Sequence, residues 1–286
     1  MSRGPTSTRA AVVTVAQRLR EAGIDTARLE AEVLMAAACG RTREWLLGHP
    51  EKVLSPDETH RLVALAARRA GREPLAYVLG EAEFYSLPLS VNPSVIVPRP
   101  ETELLAEAAL GRARQRGART ALDVGTGCGA LAVTMARQSS ALRVVATDIS
   151  IDALRLAREN CRRHSVADRV MLVCADLLDA LGVRADCIVA NLPYIASSEF
   201  DTLAPEVRDF EPRAGLDGGN DGLGLIRRLA VQISDHLSAG GFAALEVGAG
   251  QAPQVAKLLE SRGLRSIEFI RDYAGIERIV IGCHEG

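Results

Sequence analysis

Two short strings of this sequence place glycines and polar groups where a ligand could bind. The first, Asp123-Val124-Gly125-Thr126-Gly127-Cys128-Gly129, joins a β-rich run to a helical run. Glycines at such a junction let the backbone turn sharply and approach a ligand at a helix N-terminus. The second, Asn191-Leu192-Pro193-Tyr194, follows the β-rich run DCIVA. Both strings therefore indicate a site at the carboxyl ends of strands.

The glycine string alone is compatible with more than one function. Read as G-x-G-x-x-A, it also fits a dinucleotide-binding fingerprint, and a purely structural turn uses the same residues. Asp148 ends the next strand, RVVATD, and could accept hydrogen bonds from ribose hydroxyls in either nucleoside site. The pattern predicts a nucleoside site formed by Gly125, Thr126, Gly127, Cys128, Gly129 and Asp148.

The second string favours a transferase that acts on a planar nitrogen. An amide nitrogen shares its lone pair with the carbonyl, so it attacks a sulfonium methyl group poorly unless it is held in line. The Asn191 side-chain oxygen and the Leu192 backbone carbonyl can accept hydrogen bonds from two N–H groups, and Tyr194 can contact the planar face. A strand-ending turn with a half-buried tyrosine is the alternative interpretation.

The order of elements explains how the two strings can meet. From Thr120 onward, β-rich and helical runs alternate, which predicts a parallel sheet with crossover helices. The last two runs, RSIEFIRDY and ERIVIGC, are joined by Ala-Gly-Ile and predict an antiparallel hairpin. We therefore expect a helical domain at residues 1–75, a hairpin or linker at 76–103 and an α/β domain at 104–286.

One helix of the N-terminal part carries signals at both ends. Ser55-Pro56-Asp57-Glu58 matches a capping box, with Ser55 as N-cap and Glu58 reaching back from the third helical position. Gly71 is expected to end this helix in the left-handed conformation.

Composition excludes several classes of function. Among 286 residues, 48% are hydrophobic and 24% charged, and no apolar run approaches the ~20 residues that span a bilayer. The start of the chain lacks a secretory signal, so a cytoplasmic protein is expected. Six scattered cysteines and five histidines show no ligand spacing, which predicts free thiols and no metal site. The net charge of −2 argues against a nucleic-acid partner.

Further strings extend over nearly the whole chain. They are R-x-P-x-x-Y-x-x-G-x-x-E-F at 72–84, VPRPETE at 97–103, FEPR at 210–213, LDGG-x-DG at 216–222 and RDY-x-G-x-x-R at 271–278. With the two strings above, they make the chain resemble the PrmC/HemK family of release factor glutamine methyltransferases. This resemblance implies a Rossmann-like, seven-stranded S-adenosylmethionine-dependent methyltransferase domain after a small helical domain. Its substrate would be the glutamine of the Gly-Gly-Gln loop of peptide chain release factors.

The resemblance also implies roles for individual residues. S-adenosylmethionine would lie against Gly125 to Gly129 and Asn191, with its ribose on Asp148 and its adenine near Asp176 and Leu177. Asn191, Leu192, Pro193 and Tyr194 would hold the glutamine, with Asn191 and Tyr194 as catalytic groups. Phe84 and the segment Arg99-Pro100-Glu101-Thr102 would lie close to the reacting centre. The helical domain would grip the release factor, and the enzyme would act as a monomer. Leu192 departs from the family's usual Asn-Pro-Pro-Tyr, which keeps the backbone carbonyl but loses the rigidity of proline.

Two other functions fit parts of this pattern. Asn-Leu-Pro-Tyr also resembles ribosomal RNA adenine dimethyltransferases, so an RNA adenine N6-methyltransferase is the leading alternative enzyme. The acidic net charge, the helical domain and the PRPETE string disfavour it. An inactive release-factor-binding protein is the non-enzymatic alternative, and bound cofactor and turnover would distinguish it.

Overall fold

A computed structural model describes residues 6–179 and 181–285 of the chain. The chain forms two compact units. The first contains the residues up to Gly80 together with the short segment Ala204–Phe210, and the second contains Glu81–Leu203 and the residues from Glu211 onward. The sequence patterns gave no reason to group residues 204–210 with the helical part.

The first unit is helical. Its helices are α1 (Thr8–Glu21), α2 (Ala27–Cys39), α3 (Arg43–Gly48), α4 (Pro56–Ala70) and α5 (Leu75–Leu79). Their apolar faces enclose one core, in which Leu19, Ala31, Leu34 and Met35 have no exposed surface. Burial of these amphipathic faces is what stabilises helices that are short on their own.

The predicted capping box of α4 and the predicted end of the helix at Gly71 are confirmed, but the predicted left-handed conformation of Gly71 is wrong. The Ser55 hydroxyl accepts from Glu58 N at 3.2 Å, and Glu58 Oε2 accepts from Ser55 N at 2.8 Å. Gly71 has φ −77°, and the left-handed residue is Arg72, with φ +69°. The Arg72 guanidinium donates to the carbonyls of Ala22 and Gly23 at 3.1 and 2.6 Å, and these bonds offset the strain of its backbone.

The second unit begins with the predicted hairpin. Strands β1 (Glu81–Phe84) and β2 (Leu87–Ser90) pair antiparallel. Tyr85 and Ser86 connect them with φ values of +52° and +59°, as a tight turn with the twist of the hairpin requires. Helix α6 (Pro100–Arg116) follows, and it starts inside the PRPETE string with Pro100 at its first position.

The remaining elements of the second unit build a seven-stranded sheet, and the predicted α/β methyltransferase fold class is confirmed. In chain order they are β3 (Thr120–Val124), α7 (Ala130–Gln138), β4 (Arg143–Asp148), α8 (Ile151–Arg163), β5 (Val170–Cys174), β6 (Ala185–Ala190), α10 (Gly224–His236), β7 (Leu237–Glu246), α11 (Ala252–Ser261), β8 (Leu264–Arg271) and β9 (Glu277–His284). Helix α9 (Pro205–Phe210), which comes between β6 and α10 in the chain, belongs to the first unit. Their order across the sheet is β5-β4-β3-β6-β7-β9-β8. Strands β3 to β7 are parallel, while β9 runs antiparallel to both of its neighbours, so the expected closing hairpin is also confirmed.

This topology fixes where a ligand can bind. The chain leaves β3 on one side through β4 and β5, then returns to the other side of β3 as β6. A crevice opens at such a reversal, at the carboxyl ends of the two central strands. Val124 at the end of β3 lies in register with Ala190 at the end of β6. The glycine string and the string that starts at Asn191 therefore begin side by side.

The sheet carries a core of aliphatic side chains on the face covered by α10 and α11. Val247, Leu259 and Val280 in this core have no exposed surface. Across the described ranges, no helix combines the length and hydropathy that a bilayer crossing requires.

Candidate active site

The glycine string forms a tight turn that is hydrogen-bonded to the end of strand β4 and packs against Leu192 of the second string. The N–H groups of Gly125 and Thr126 donate to the carbonyl of Thr147 at 2.9 and 2.8 Å. Gly125 has φ +74°, and a Cβ atom there would lie 2.9 Å from Leu192 Cδ2. Both the conformation and the close approach therefore require glycine.

Asp123, at the head of the glycine string, is a buried carboxylate with spare hydrogen-bonding capacity. Its Oδ2 accepts from the Thr126 hydroxyl at 2.6 Å and from Ala132 N at 3.0 Å. Its Oδ1 is buried and has no partner in the described part of the chain. Burial raises the pKa of this carboxyl to about 6. Sequence reasoning did not assign it a role, although a lone carboxylate ending an apolar strand was the available signal.

Asp148, the predicted ribose ligand, braces the same loop. Its Oδ2 accepts from Gly127 N and its Oδ1 from Ser150 N, both at 2.8 Å. Partial burial raises the pKa of the carboxyl, against the lowering effect of these backbone donors. Each carboxylate oxygen has two lone pairs, so Asp148 retains capacity for ribose hydroxyls, and that role stays a prediction.

The two residues predicted beside an adenine occupy different environments. Asp176 forms an ion pair with Arg228, whose guanidinium is 2.7 Å from Asp176 Oδ2. Leu177 has φ +55° and points into the hydrophobic core with 7% of its surface exposed. Leu177 can therefore offer a ligand little beyond its backbone, and both adenine contacts remain predictions.

Two pockets meet at Asn191. The glycine-side pocket is lined by Asp123, Gly125, Thr126, Gly127, Cys128 and neighbouring residues. The tyrosine-side pocket is lined by Leu192, Pro193, Tyr194, Ile195, Gly215 and Leu216. Ile96, Arg99 and Asn191 line both. The structure thus brings most of the predicted site residues to one place, with Asn191 at the boundary.

Asn191 is held by Thr102, which the resemblance places near the reacting centre without giving it a role. Its side-chain Nδ2 donates to the Thr102 hydroxyl at 2.8 Å. Thr102 lies in the first turn of α6, within the PRPETE string, and is buried. With Nδ2 engaged, Oδ1 is the atom of the amide that can accept from a ligand.

Leu192 and Tyr194 are more firmly packed than the sequence indicated. Leu192 is 4% exposed and belongs to the core under the sheet, whereas sequence reasoning used only its backbone carbonyl. Burial is the largest effect that raises the pKa of Tyr194, to about 12, so its phenol is neutral at physiological pH. The Tyr194 carbonyl accepts from Gln251 Nε2 at 2.9 Å. The ring and the loop backbone are therefore both fixed.

The LDGG-x-DG string supports the backbone of the second string. Gly218 N donates to the carbonyl of Ile195 at 2.9 Å. A Cβ atom on Gly222 would lie 2.1 Å from the Tyr194 carbonyl oxygen, and one on Gly218 would lie 2.7 Å from the Pro193 carbonyl oxygen. Side chains cannot occupy either place without displacing the loop. Glycine is required at both positions because this backbone segment is in direct contact with the backbone of the Asn191–Tyr194 string.

An ion pair with the buried Glu211 fixes the half-buried Arg99 at the shared wall of the pockets. Its guanidinium donates to Glu211 Oε1 at 2.7 Å, and Glu211 Oε2 accepts from Val97 N at 3.3 Å. Burial raises the pKa of Glu211, while the Arg99 charge opposes the rise. Phe84 has a different place: its ring is 1% exposed and it lines neither pocket, because it points into the interior from the end of β1. Phe84 therefore packs in the interior, and its predicted contact with the substrate stays a prediction.

Glu246, at the end of β7, is a second functional candidate that sequence reasoning missed. It is 1% exposed, and neither carboxylate oxygen has a hydrogen-bond partner of ordinary geometry among the described residues. Burial raises its pKa to about 7, and Glu101 adds to the rise. The hydroxyls of Thr102 and Tyr194 and the charge of Arg278 act in the opposite direction. A carboxylate in an otherwise apolar strand, FAALEV, was the only sequence signal.

Thiol and metal chemistry find little support in the described residues. The six cysteines are free, and burial raises the pKa of Cys128, in the glycine string, to about 12. A thiol with that pKa is a poor nucleophile. Within residues 6–179 and 181–285, no three His, Cys, Asp or Glu side chains converge in a way that could hold a metal ion.

Sequence comparison identifies the relatives of the chain. Residues 10–80 match the PrmC N-terminal domain family, and residues 101–206 match the methyltransferase small domain family. A release factor glutamine methyltransferase of Geobacter sulfurreducens is 42% identical over 92% of this chain and 92% of its own length. One of Moorella thermoacetica is 42% identical over 94% and 96%. The chain belongs to the release factor glutamine methyltransferase family.

Structural comparison agrees at the level of the fold. A methyltransferase from Pyrococcus furiosus superposes with a TM-score of 0.54 and 21% identity, covering 71% of this chain and 91% of that one. The catalytic domain of hMettl16, solved with an RNA hairpin, gives a TM-score of 0.56 at 12% identity, covering 82% and 86%. At these identities the likeness shows the fold alone.

Proposed function

We propose that this chain transfers a methyl group from S-adenosylmethionine to the side-chain amide nitrogen of the glutamine in the Gly-Gly-Gln motif of peptide chain release factors. The observation that carries the proposal is the position of Asn191, whose side chain lines both pockets. Methyl transfer requires the donor and the acceptor to meet in line, and a residue at the boundary of two pockets can contact both. The name of the relatives supplies the class of acceptor.

The glycine-side pocket fits this cofactor. When bound, S-adenosylmethionine supplies a methyl group on a positively charged sulfur. Asp123 Oδ1, buried and without a partner in the described chain, would accept from the ammonium of the methionine part. Asp148 would accept from the ribose hydroxyls, with Asp176 and Leu177 near the adenine. The glycines keep side chains out of the space that the cofactor needs.

The tyrosine-side pocket fits a carboxamide. Asn191 Oδ1 would accept one N–H of the glutamine amide and the Leu192 carbonyl the other, while the Tyr194 ring would contact the planar face. As the nitrogen gains the methyl group it develops positive charge and releases one proton, and two fixed acceptors stabilise that charge. Arg99 would not repel it strongly, because Glu211 neutralises the guanidinium.

The helical part would supply substrate affinity. We assign residues 1–75 to release-factor docking, 76–103 to a linker that carries the hairpin, and 104–286 to methyl transfer. The match of residues 10–80 to the PrmC N-terminal domain supports this division. We further propose that the enzyme acts as a monomer in the cytoplasm, without direct contact to nucleic acid, in line with its net charge of −2.

The test is mass spectrometry of a purified release factor after incubation with the enzyme and S-adenosylmethionine. We expect a gain of one methyl group, mapped to the glutamine of Gly-Gly-Gln, and none on a release factor in which that glutamine is replaced by alanine. Ribosomal RNA incubated in parallel should gain no methyl group. Methylated adenine in the RNA with an unmodified release factor would favour the RNA methyltransferase, and cofactor binding without any turnover would favour the inactive binding protein.

The docking role has its own test, which uses the full-length enzyme. We compare kcat/KM for an intact release factor with that for a short Gly-Gly-Gln peptide. If the helical part contributes binding energy, the peptide should have a much higher KM. Equal KM values would contradict docking while leaving the chemistry untouched.

A further inference from the structure

The orientation of the Asn191 amide decides what it presents to a ligand. With Nδ2 bound to Thr102, Oδ1 is the amide atom that remains to accept from an N–H group of a ligand in the pockets that Asn191 lines. Rotating the amide by half a turn would direct a second donor at the N–H groups of the substrate, and the contact would become repulsive. The proposed function, on which this inference rests, therefore requires one of two orientations that have nearly the same shape.

Thr102 alone cannot select that orientation. A hydroxyl can accept from Nδ2 or donate to Oδ1, so Thr102 is compatible with either orientation. The choice depends on where the hydroxyl proton goes. Within the described chain, the Thr102 oxygen has no hydrogen bond of ordinary geometry besides that from Asn191. A neighbouring acceptor that takes the Thr102 proton would leave its oxygen as an acceptor for Nδ2.

Glu246 is positioned to accept a hydrogen bond from the Thr102 hydroxyl. It is 1% exposed, both of its oxygens are unpartnered, and the Thr102 hydroxyl lies beside it. A buried carboxylate without hydrogen bonds is costly, so its retention at the end of β7 calls for a function. We propose that Glu246 is a positioning residue, which acts through Thr102 to hold the Asn191 side-chain oxygen toward the substrate amide.

The protonation state of Glu246 would then set the orientation. The ionised carboxylate accepts the Thr102 proton and favours Oδ1 toward the pockets. The neutral acid can donate to Thr102 instead, which frees the hydroxyl to donate to Asn191 Oδ1 and allows the amide to turn over. The groups that face Glu246 are Glu101 and Thr102 on α6, Tyr194 after β6, and Arg278 on β9, which is paired with Asp272.

The direction of the pH dependence follows. Burial raises the pKa of Glu246 to about 7, so the active, ionised form is lost as pH falls through that value. We expect the single-turnover rate of the wild type to decrease below about pH 7. Glu246→Gln cannot ionise, so its rate should be lower above this pH and should lack that decrease.

The test compares variants that keep the shape of the site. Thr102→Val removes the hydroxyl at nearly constant volume, while Thr102→Ser retains it. We expect the valine variant to lose about 10-fold in single-turnover rate, and the serine variant to stay close to wild type. Affinities for S-adenosylmethionine and for the release factor should change little in both. Because the two residues act in series, the Thr102→Val and Glu246→Gln double variant should lose little more than Thr102→Val alone.

Thr134 provides a matched control. It is a buried threonine of α7 whose hydroxyl has no partner in the described chain, so Thr134→Val should keep the wild-type rate. A Thr102→Val rate equal to wild type, equal losses in Thr102→Val and Thr102→Ser, or an unchanged pH profile in Glu246→Gln would each overturn the positioning role. A wild-type enzyme that fails to methylate the release factor would contradict the proposed function instead, and that measurement comes first.

Discussion

The two pockets beside Asn191 are built in opposite ways. The glycine-side pocket draws most of its lining from one continuous segment, residues 123–131, which is braced by the end of the neighbouring strand, and the rest from residues 96–102 and Asn191. The tyrosine-side pocket draws on residues 96–99, 191–195 and 215–216, and its loop is fixed by Gly222 and Gln251. A site made from one turn can be encoded locally, whereas a site made from distant segments depends on the whole fold.

The two pockets also differ in what they require of glycine. In the glycine-side pocket, Gly125 faces the end of a flexible leucine side chain. Behind the tyrosine-side pocket, Gly218 and Gly222 face carbonyl oxygens of the backbone, which cannot rotate away. Substitutions should therefore be more damaging on the tyrosine side.

The largest effect that would test this difference is expected for Gly222→Ala. Its Cβ would lie 2.1 Å from the Tyr194 carbonyl oxygen, and its φ of +74° is unfavourable for alanine. Displacement of the loop should reduce methylation by ~100-fold or more, as loss of an oriented contact typically does. Cofactor affinity, measured by calorimetry, should be retained.

Gly275→Ala is the matched control for that variant. Gly275 also has positive φ, +80°, but nothing lies within 4 Å of its Cβ position, in the turn between β8 and β9. It should lose stability, by ~1 kcal/mol, and keep its rate. If Gly222→Ala is as active as Gly275→Ala, close backbone contact is not what the LDGG-x-DG string provides.

An intermediate effect is expected for Asp148→Ala. Loss of a charge-assisted acceptor for the ribose should weaken S-adenosylmethionine binding by about 1 to 3 kcal/mol. The affinity for the release factor should not change. Asp152→Ala removes a largely exposed carboxylate that is paired with Arg155, and this variant should bind the cofactor normally. If the two variants bind S-adenosylmethionine with equal affinity, Asp148 does not bind the ribose.

The smallest effect is expected for Leu192→Pro. The backbone carbonyl is kept, so methylation should be close to wild type, but a buried side chain is shortened and stability should fall by ~1 kcal/mol. The same change removes Cδ2, which a Cβ on residue 125 would meet at 2.9 Å. Gly125→Ala should therefore be less harmful in the Leu192→Pro background. Thermal unfolding of the wild type, the two single variants and the double variant measures this coupling. If the changes in the free energy of unfolding are strictly additive, Gly125 and Leu192 are not in steric contact.

The same contrast explains what the sequence could and could not predict. The parallel sheet, the closing hairpin and the capping box were predictable because each follows from a local pattern of apolar residues, turns and caps. The grouping of Asn191 with the glycine string followed from strand order. Thr102 was placed near the reacting centre only by resemblance and without a role, and Glu246 was not assigned. Each becomes significant only when α6 or β7 brings it beside a loop that lies far away in the chain.

Two positions show where a sequence pattern and the local structure differ: the conformation of Gly71 and the burial of Phe84. A glycine after a helix usually adopts the left-handed conformation, but here hydrogen bonds from the Arg72 side chain move that conformation one residue on. Phe84 belongs to a string that resembles its family, yet burial of the ring shows that such a string can preserve packing.

Asn191 lies at the boundary of the two pockets, and we propose that its side-chain oxygen also orients the substrate amide for methyl transfer. The most direct test of this proposal is single-turnover methylation of a release factor by Asn191→Ala at saturating S-adenosylmethionine, with cofactor affinity measured separately. We expect the rate to fall by ~100-fold or more while the variant still binds the cofactor, because an oriented acceptor is missing at the moment of transfer. Methylation of the glutamine by Asn191→Ala at the wild-type rate would contradict the account.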